Sequence, residues 1–313
     1  QKSMRSVAPA DLVEPGEIVL GYQNNAGQLV PPLTVPAEID THDHLPMEVA
    51  NFGLRFPRFG AARTAGLRDF GRNGTFFVVR QYEQHVDLFE EFVKGWTHEL
   101  TRDRTEVNPH LGEGRLETLV GCPIDEEWVA SKLMGRRRDG QPLLGRVIRR
   151  NDNDFNFGSD DPQGLHCPFG AHMRRANPRG GMNPDDPMEI DITKRHRILR
   201  RGRTYEAPAP GNVGNQEKEK GLLFIGLCSD IERQFEFLQQ SWISSPSFQG
   251  LSDEPDPITA TTAGVFTIPT AVGPIQLTRK KSFVTVRAGG YFFMPSRAAL
   301  SLLVARTHHA AKR

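Results

Sequence analysis

Apolar and polar positions are patterned unevenly along this chain. Residues 1–72 show no sustained period. Positions 13–22 form one short extended stretch, and Pro31, Pro32 and Pro36 break up the segment after it. So long a structureless segment is unusual in a compact domain and predicts loops wrapped over other parts of the fold. The pattern sharpens at Asn73-Gly74, where a turn dipeptide precedes the β-branched and aromatic run 75–80, the mark of a buried strand. Phe89, Phe92, Val93 and Trp96 then recur at helical spacing, and residues 126–135 predict a second helix. Residues 196–205 and 221–227 read as strands, the second placing Leu222 and Phe224 on one face. Ile231, Phe235, Leu238 and Trp242 form a helical stripe. Residues 283–287 and 291–294 flank Gly289-Gly290, which predicts a hairpin, and 298–304 close as a helix. This order predicts an α+β domain with an antiparallel sheet and helices packed on one face. No internal repeat is visible.

Composition narrows the function classes. A chain of 313 residues can bury a sizeable core without disulfides or metal, and its three cysteines make no disulfide framework. With 39 Lys+Arg against 38 Asp+Glu there is no bulk basic field to hold nucleic acid or an anionic membrane. No apolar run approaches the roughly 20 residues of a membrane helix. The polar stretch 139–166 carries Asp152, Asp154, Asp160 and Asp161. It reads as a solvated loop, since the fixed glycine and terminal glutamate of a calcium-binding helix–loop–helix are missing. The chain opens at Gln1, which predicts a processed or truncated piece. Its polar, basic tail, 305–313, carries no recognisable address, so localisation stays open.

The stretch richest in chemistry is His166-Cys167-Pro168-Phe169-Gly170-Ala171-His172-Met173-Arg174-Arg175-Ala176-Asn177-Pro178-Arg179. On residue chemistry alone His172 is open to a structural role and to one as ligand or catalyst. The run resembles the proximal-histidine motif of the dye-decolorizing peroxidases, Cys-Pro-Phe-x-Ala-His-Ile-Arg-x-x-Asn-Pro-Arg. Residues 13–22, 73–86, 135–143, 196–205 and 221–240 resemble further blocks of that family in the family's order.

The resemblance implies a haem b (iron) protein with two ferredoxin-like halves of the dimeric α+β barrel type. Residues 73–313 would form the C-terminal haem-binding half. Residues 1–72 would continue an N-terminal half that is mostly absent. His172 would be the proximal iron ligand, with a carboxylate on its other ring nitrogen. That carboxylate is placed at Asp256 in Asp253-Glu254-Pro255-Asp256-Pro257-Ile258, with Asp253, Glu254 and Asp230 as alternatives and a plain turn role open for Asp256. Cys167 would suit a haem-thiolate reading, but as a free cysteine it also reads as packing. The block 198–205 implies Arg200 as the distal arginine, and Leu222 and Phe224 would line the distal pocket. Strand core is the plain reading for those two.

The family's distal acid belongs to a Gly-x-x-Asp-Gly motif. Gly66-Leu67-Arg68-Asp69 begins correctly, but Phe70 stands where the second glycine belongs, and Asp69 adjoins Arg72-Asn73-Gly74-Thr75, which matches a different block. Asp69 is therefore a look-alike, and the motif is expected upstream of residue 1 or on an associated N-terminal fragment. The implied activity reduces hydrogen peroxide and oxidises an organic reductant, phenolic or dye-like. The alternatives are a haem-binding or haem-handling protein of the same fold without efficient turnover, and a non-haem interaction protein. Weaker candidates are Thr41-His42-Asp43-His44, read as a surface loop, and Arg136-Arg137-Arg138, open to haem propionates or to solvent. Trp96, Trp128, Trp242, Tyr22, Tyr82, Tyr205 and Tyr291 are candidate electron relays.

Overall fold

The computed structural model describes residues 71, 74–102, 116–146, 155–186, 188–208 and 218–310. The extended stretch 13–22, the 41–44 cluster, Asp69, Asp152 and Asp154 lie outside the described residues.

A four-stranded antiparallel sheet organises the fold. Its strands are β1 (Thr75–Gln84), β2 (Leu199–Pro208), β3 (Lys218–Cys228) and β6 (Val284–Met294), in the order β2-β3-β1-β6. A separate hairpin pairs β4 (Gly264–Ile268) with β5 (Ile275–Arg279). The helices are α1 (Val86–Thr101), α2 (Leu116–Val120), α3 (Glu126–Met134), α4 (Phe157–Asp160), α5 (His172–Ala176), α6 (Glu189–Lys194) and α7 (Arg297–Ala310). Two wide π-type turns follow β3, over Ile231–Glu236 and Leu238–Ile243.

Two hydrophobic clusters among the described residues hold most of these elements. Phe89 and Val93 of α1, Val129 and Leu133 of α3, and Ile268 and Leu277 of the β4–β5 hairpin meet around Phe283. On one face of the sheet, Val78 and Cys228 pack against Phe235, Leu238 and Trp242 of the π-type turns, as the helical stripe predicted. Each fully buried large apolar side chain contributes about 1.5–3 kcal/mol. Helix α3 is bounded as its sequence dictates. Asp125 caps its start, accepting the Trp128 N–H at 2.7 Å, and Gly135 ends it at φ 88°. A side chain at 135 would meet Cys167, Met173 and Ala171 at 3.1–3.3 Å, so this glycine also lets the His172 segment lie against α3.

Two expectations need correction. Residues 283–294 form no hairpin: β6 runs unbroken, with Gly289 opposite Arg80 and Gly290 opposite Val79 of β1. A Cβ at 289 would meet the Arg80 side chain at 2.6 Å, so the glycine makes room for a crossing side chain and not for a turn. Nor is the acidic stretch uniformly solvated, because Asp161 is buried and accepts from the backbone N–H groups of His166 and Cys167.

Candidate active site around His172

Helix α5 is only five residues long, too short to persist by its own backbone bonding. Two fully buried arginines hold it. Arg174 donates through Nη1 to the Asp161 carboxylate at 3.2 Å and to the carbonyls of Asp161 and Cys167. Its guanidinium lies between the rings of Phe157 and Phe169, at 4.6 and 4.5 Å. Arg175 reaches the other way, donating to the carbonyls of Gly170 (3.0 Å), Trp242 (3.0 Å), Ser245 (2.7 Å) and Glu254, with its charge over Phe248. The carbonyls of Trp242 and Ser245 lie where the second π-type turn ends, where orphan acceptors favour a cation. The Arg-Arg doublet is the clamp that fixes His172.

His172 Nδ1 lies 2.9 Å from Asp256 Oδ2, and Asp256 is completely buried. The other carboxylate oxygen accepts from the N–H of Ile258 (2.9 Å), the N–H of Thr259 (2.7 Å) and the Thr259 hydroxyl (3.0 Å). Burial alone would raise the Asp256 pKa. Its interaction with His172, the Thr259 N–H and the Arg175 charge outweigh that and hold it below the usual carboxylate range. An ionised acceptor at Oδ2 places the imidazole proton on Nδ1 and leaves the Nε2 lone pair as donor. Among the described residues Nε2 has no hydrogen-bond partner, and the side chain is 18% exposed. A tautomer-fixed imidazole backed by a buried carboxylate suits an axial iron ligand.

The competing residues stand elsewhere. Glu254 accepts from the N–H and hydroxyl of Thr267 at the β4 strand, and Asp230 caps the first π-type turn through the Arg233 N–H. Asp253 occupies a positive-φ position (58°). Cys167 is fully buried with Sγ 3.9 Å from the Gly135 carbonyl, and burial pushes its thiol up to about 12, so no thiolate is available near neutral pH. Arg136 donates to the Gly140 carbonyl at 2.8 Å, and Arg138 pairs with Glu90 at 2.8 Å; both serve local structure.

Arg200, Leu222 and Phe224 share one face of the sheet. Arg200 lies opposite Gly226, Phe224 opposite Gly202 and Leu222 opposite Thr204, and directly paired residues project to the same side. The Phe224 ring packs edge-on against Tyr82 and tilted against Phe235, with centroids 6.2 and 6.0 Å away. Among the described residues no group of three His, Cys, Asp or Glu side chains could hold a metal ion, and no helix is long and apolar enough to cross a membrane. Residue reading alone missed Arg174, Arg175 and Thr259. Of these only Thr259, three residues after Asp256, carried a local signal, that of an Asx-type turn.

A family model described as "Dyp-type peroxidase, C-terminal" matches residues 65–273. The chain belongs to the Dyp-type peroxidase family. Over 255 residues it is 33% identical to the multifunctional dye peroxidase DyP2 of Amycolatopsis sp., covering 74% of this chain and 49% of that protein. The solved structure of the same enzyme is 27% identical with a TM-score of 0.59, covering 90% of this chain and 60% of that one. A shorter likeness, 29% over 118 residues, joins 38% of this chain to 23% of a deferrochelatase of Yersinia pestis. The chain spans about half the length of the curated peroxidases it matches. The α+β architecture is that of the solved Dyp-type structures, and the family is one of haem peroxidases.

Proposed function

We propose that residues 73–313 form the haem-binding half of a dye-decolorizing peroxidase that holds haem b through His172, reduces hydrogen peroxide and oxidises a phenolic or dye-like reductant. The observation that carries this reading is the His172 Nδ1–Asp256 Oδ2 contact of 2.9 Å, with the carboxylate fully buried. Haem iron would supply the redox chemistry. Asp256 keeps the imidazole proton on Nδ1 and makes Nε2 a better donor. Arg200, charged at every working pH, stabilises negative charge developing on peroxide oxygen. Leu222 and Phe224 keep water from the same face. The distal acid is assigned to a Gly-x-x-Asp-Gly segment of an N-terminal ferredoxin-like half, in keeping with the chain's span of about half its relatives.

The test is the absorbance of His172→Ala. It should lose its haem band while the chain stays folded by circular dichroism, and Cys167→Ala should leave the band unchanged. Full haem occupancy with an unaltered spectrum in His172→Ala would exclude the assignment. The deferrochelatase likeness favours a second reading, haem handling on the same fold. Haem binding without peroxide-dependent dye oxidation, measured on the chain together with its N-terminal half, would select it.

A further inference from the structure

A groove of about 370 Å³ opens between α1 and the connection from β5 to β6, and the proposed haem chemistry uses none of it. We propose that it binds a small phenolic acid, an aromatic ring with a carboxylate at one end and a hydroxyl at the other. As a reductant site this rests on the peroxidase reading; as a binding site it does not.

Its volume lies in the range of ligand pockets. The walls are aromatic: Phe92 and Trp96 of α1 stand with centroids 6.3 Å apart, and Phe92 meets Phe283 at 5.3 Å. Gly95 lines the same space in the interior of α1, where glycine costs about 1 kcal/mol relative to alanine. Packing does not demand it, because a Cβ at 95 would meet no atom within 4 Å. That open space belongs to the groove.

The rim is dipolar. Lys280 and Lys281 stand on one side, exposed, and neither makes an ion pair among the described residues. Arg279, buried beneath them, donates to the Lys281 and Thr262 carbonyls and lies 5.6 Å from the Phe283 ring, which stiffens the turn carrying both lysines. On the helix side stand Glu91 and Glu99, the latter 3.3 Å from Arg102. A carboxylate ligand suits the lysines, and a phenolic hydroxyl can donate to Glu91. A simple dianion would meet the glutamates, and an uncharged arene would leave the lysines unused.

Calorimetric titration of the full chain with 4-hydroxybenzoate tests this, with benzoate and 4-hydroxybenzyl alcohol as partial probes. Saturable binding is expected, about tenfold or more weaker for either partial probe and for the Lys280→Gln/Lys281→Gln double variant. Gly95→Leu fills the groove while improving helix propensity, so it should abolish binding without unfolding α1. No saturable heat, or affinities within about twofold of wild type in both variants, would overturn the site. The heat is read independently of haem absorbance. A chain that takes up no haem yet binds 4-hydroxybenzoate sinks the peroxidase reading and leaves this site standing.

Discussion

The His172 segment and the β2–β3 strand pair present their candidate site side chains in opposite ways. Around His172, position is set by side chains bonded to backbone from other parts of the chain: Arg175 ties α5 to the second π-type turn and to Glu254, and Arg174 ties it to the Asp161 carbonyl. On the strands, position is set by register. Arg200, Leu222 and Phe224 share a face because β2 and β3 pair residue for residue, and all three are half-buried. Bonded charge networks fail as units, whereas a strand tolerates a changed side chain while its ladder survives. The first region should therefore be brittle in stability, and the second sensitive in chemistry alone.

Arg175→Ala should break this comparison open most widely. It removes a buried cation bonded to several carbonyls, for which about 3–5 kcal/mol of stability is expected from losing one member of such a network. Lysine should not rescue it, because an ammonium lacks the planar fork. Urea unfolding measures this, and a loss below about 1 kcal/mol would mean α5 is held by something else.

Arg200→Leu tests the other side. Reaction with peroxide should slow by about 10²–10³-fold, while stability shifts by no more than about 1 kcal/mol. Stopped-flow kinetics beside thermal melts separates the two. A large stability loss with unchanged kinetics would turn Arg200 into a framework residue.

Asp256→Asn keeps the shape but removes the charge. About 1.5–3 kcal/mol should go with the charge-assisted hydrogen bonds, and the haem band should shift as Nε2 becomes a weaker donor. An unchanged band with full stability loss would confine Asp256 to structure.

The smallest effect concerns the thiols. Burial pushes Cys167 and Cys228 from 9.0 to about 12, so at pH 8 iodoacetamide should modify the half-buried Cys122 and spare both. A folded pKa above the unfolded value leaves stability intact below pH 9.0 and erodes it as pH rises towards about 12. Cys167→Ala should flatten part of that alkaline slope, and an identical slope in the variant would deny Cys167 any share in it.

Periodicity alone made β1, α1, α3 and the apolar side of β3 legible, because each buries one face against neighbours of ordinary shape. The Gly289-Gly290 pair was misread because its local signal is that of a turn. The real cause at Gly289, the Arg80 side chain crossing the strand, lies 209 positions away in the paired register. The β4–β5 hairpin was not anticipated either, though Val265-Phe266-Thr267-Ile268 has strand composition. His172 and Asp256 are 84 residues apart, and only the family resemblance brought them together before the fold did. Arg174 and Arg175 carried no usable signal, since buried cations are legible only once their acceptors are in place.

The strand order has a consequence for how the protein is made. β1 is synthesised first among the four strands, yet it lies between β3 and β6, and Arg80 meets Tyr291 across 211 residues. At ribosomal rates of about 5–20 residues per second, β1 has at least one flank open for roughly 10–40 s before its last partner is translated. During that interval Phe77 and Val79 belong to an unfinished edge, the kind of template on which nascent chains associate. Slowed translation between β3 and β6, or depletion of chaperones that shield nascent strands, should therefore cut the soluble yield of this chain more than it changes the stability of molecules that finish folding.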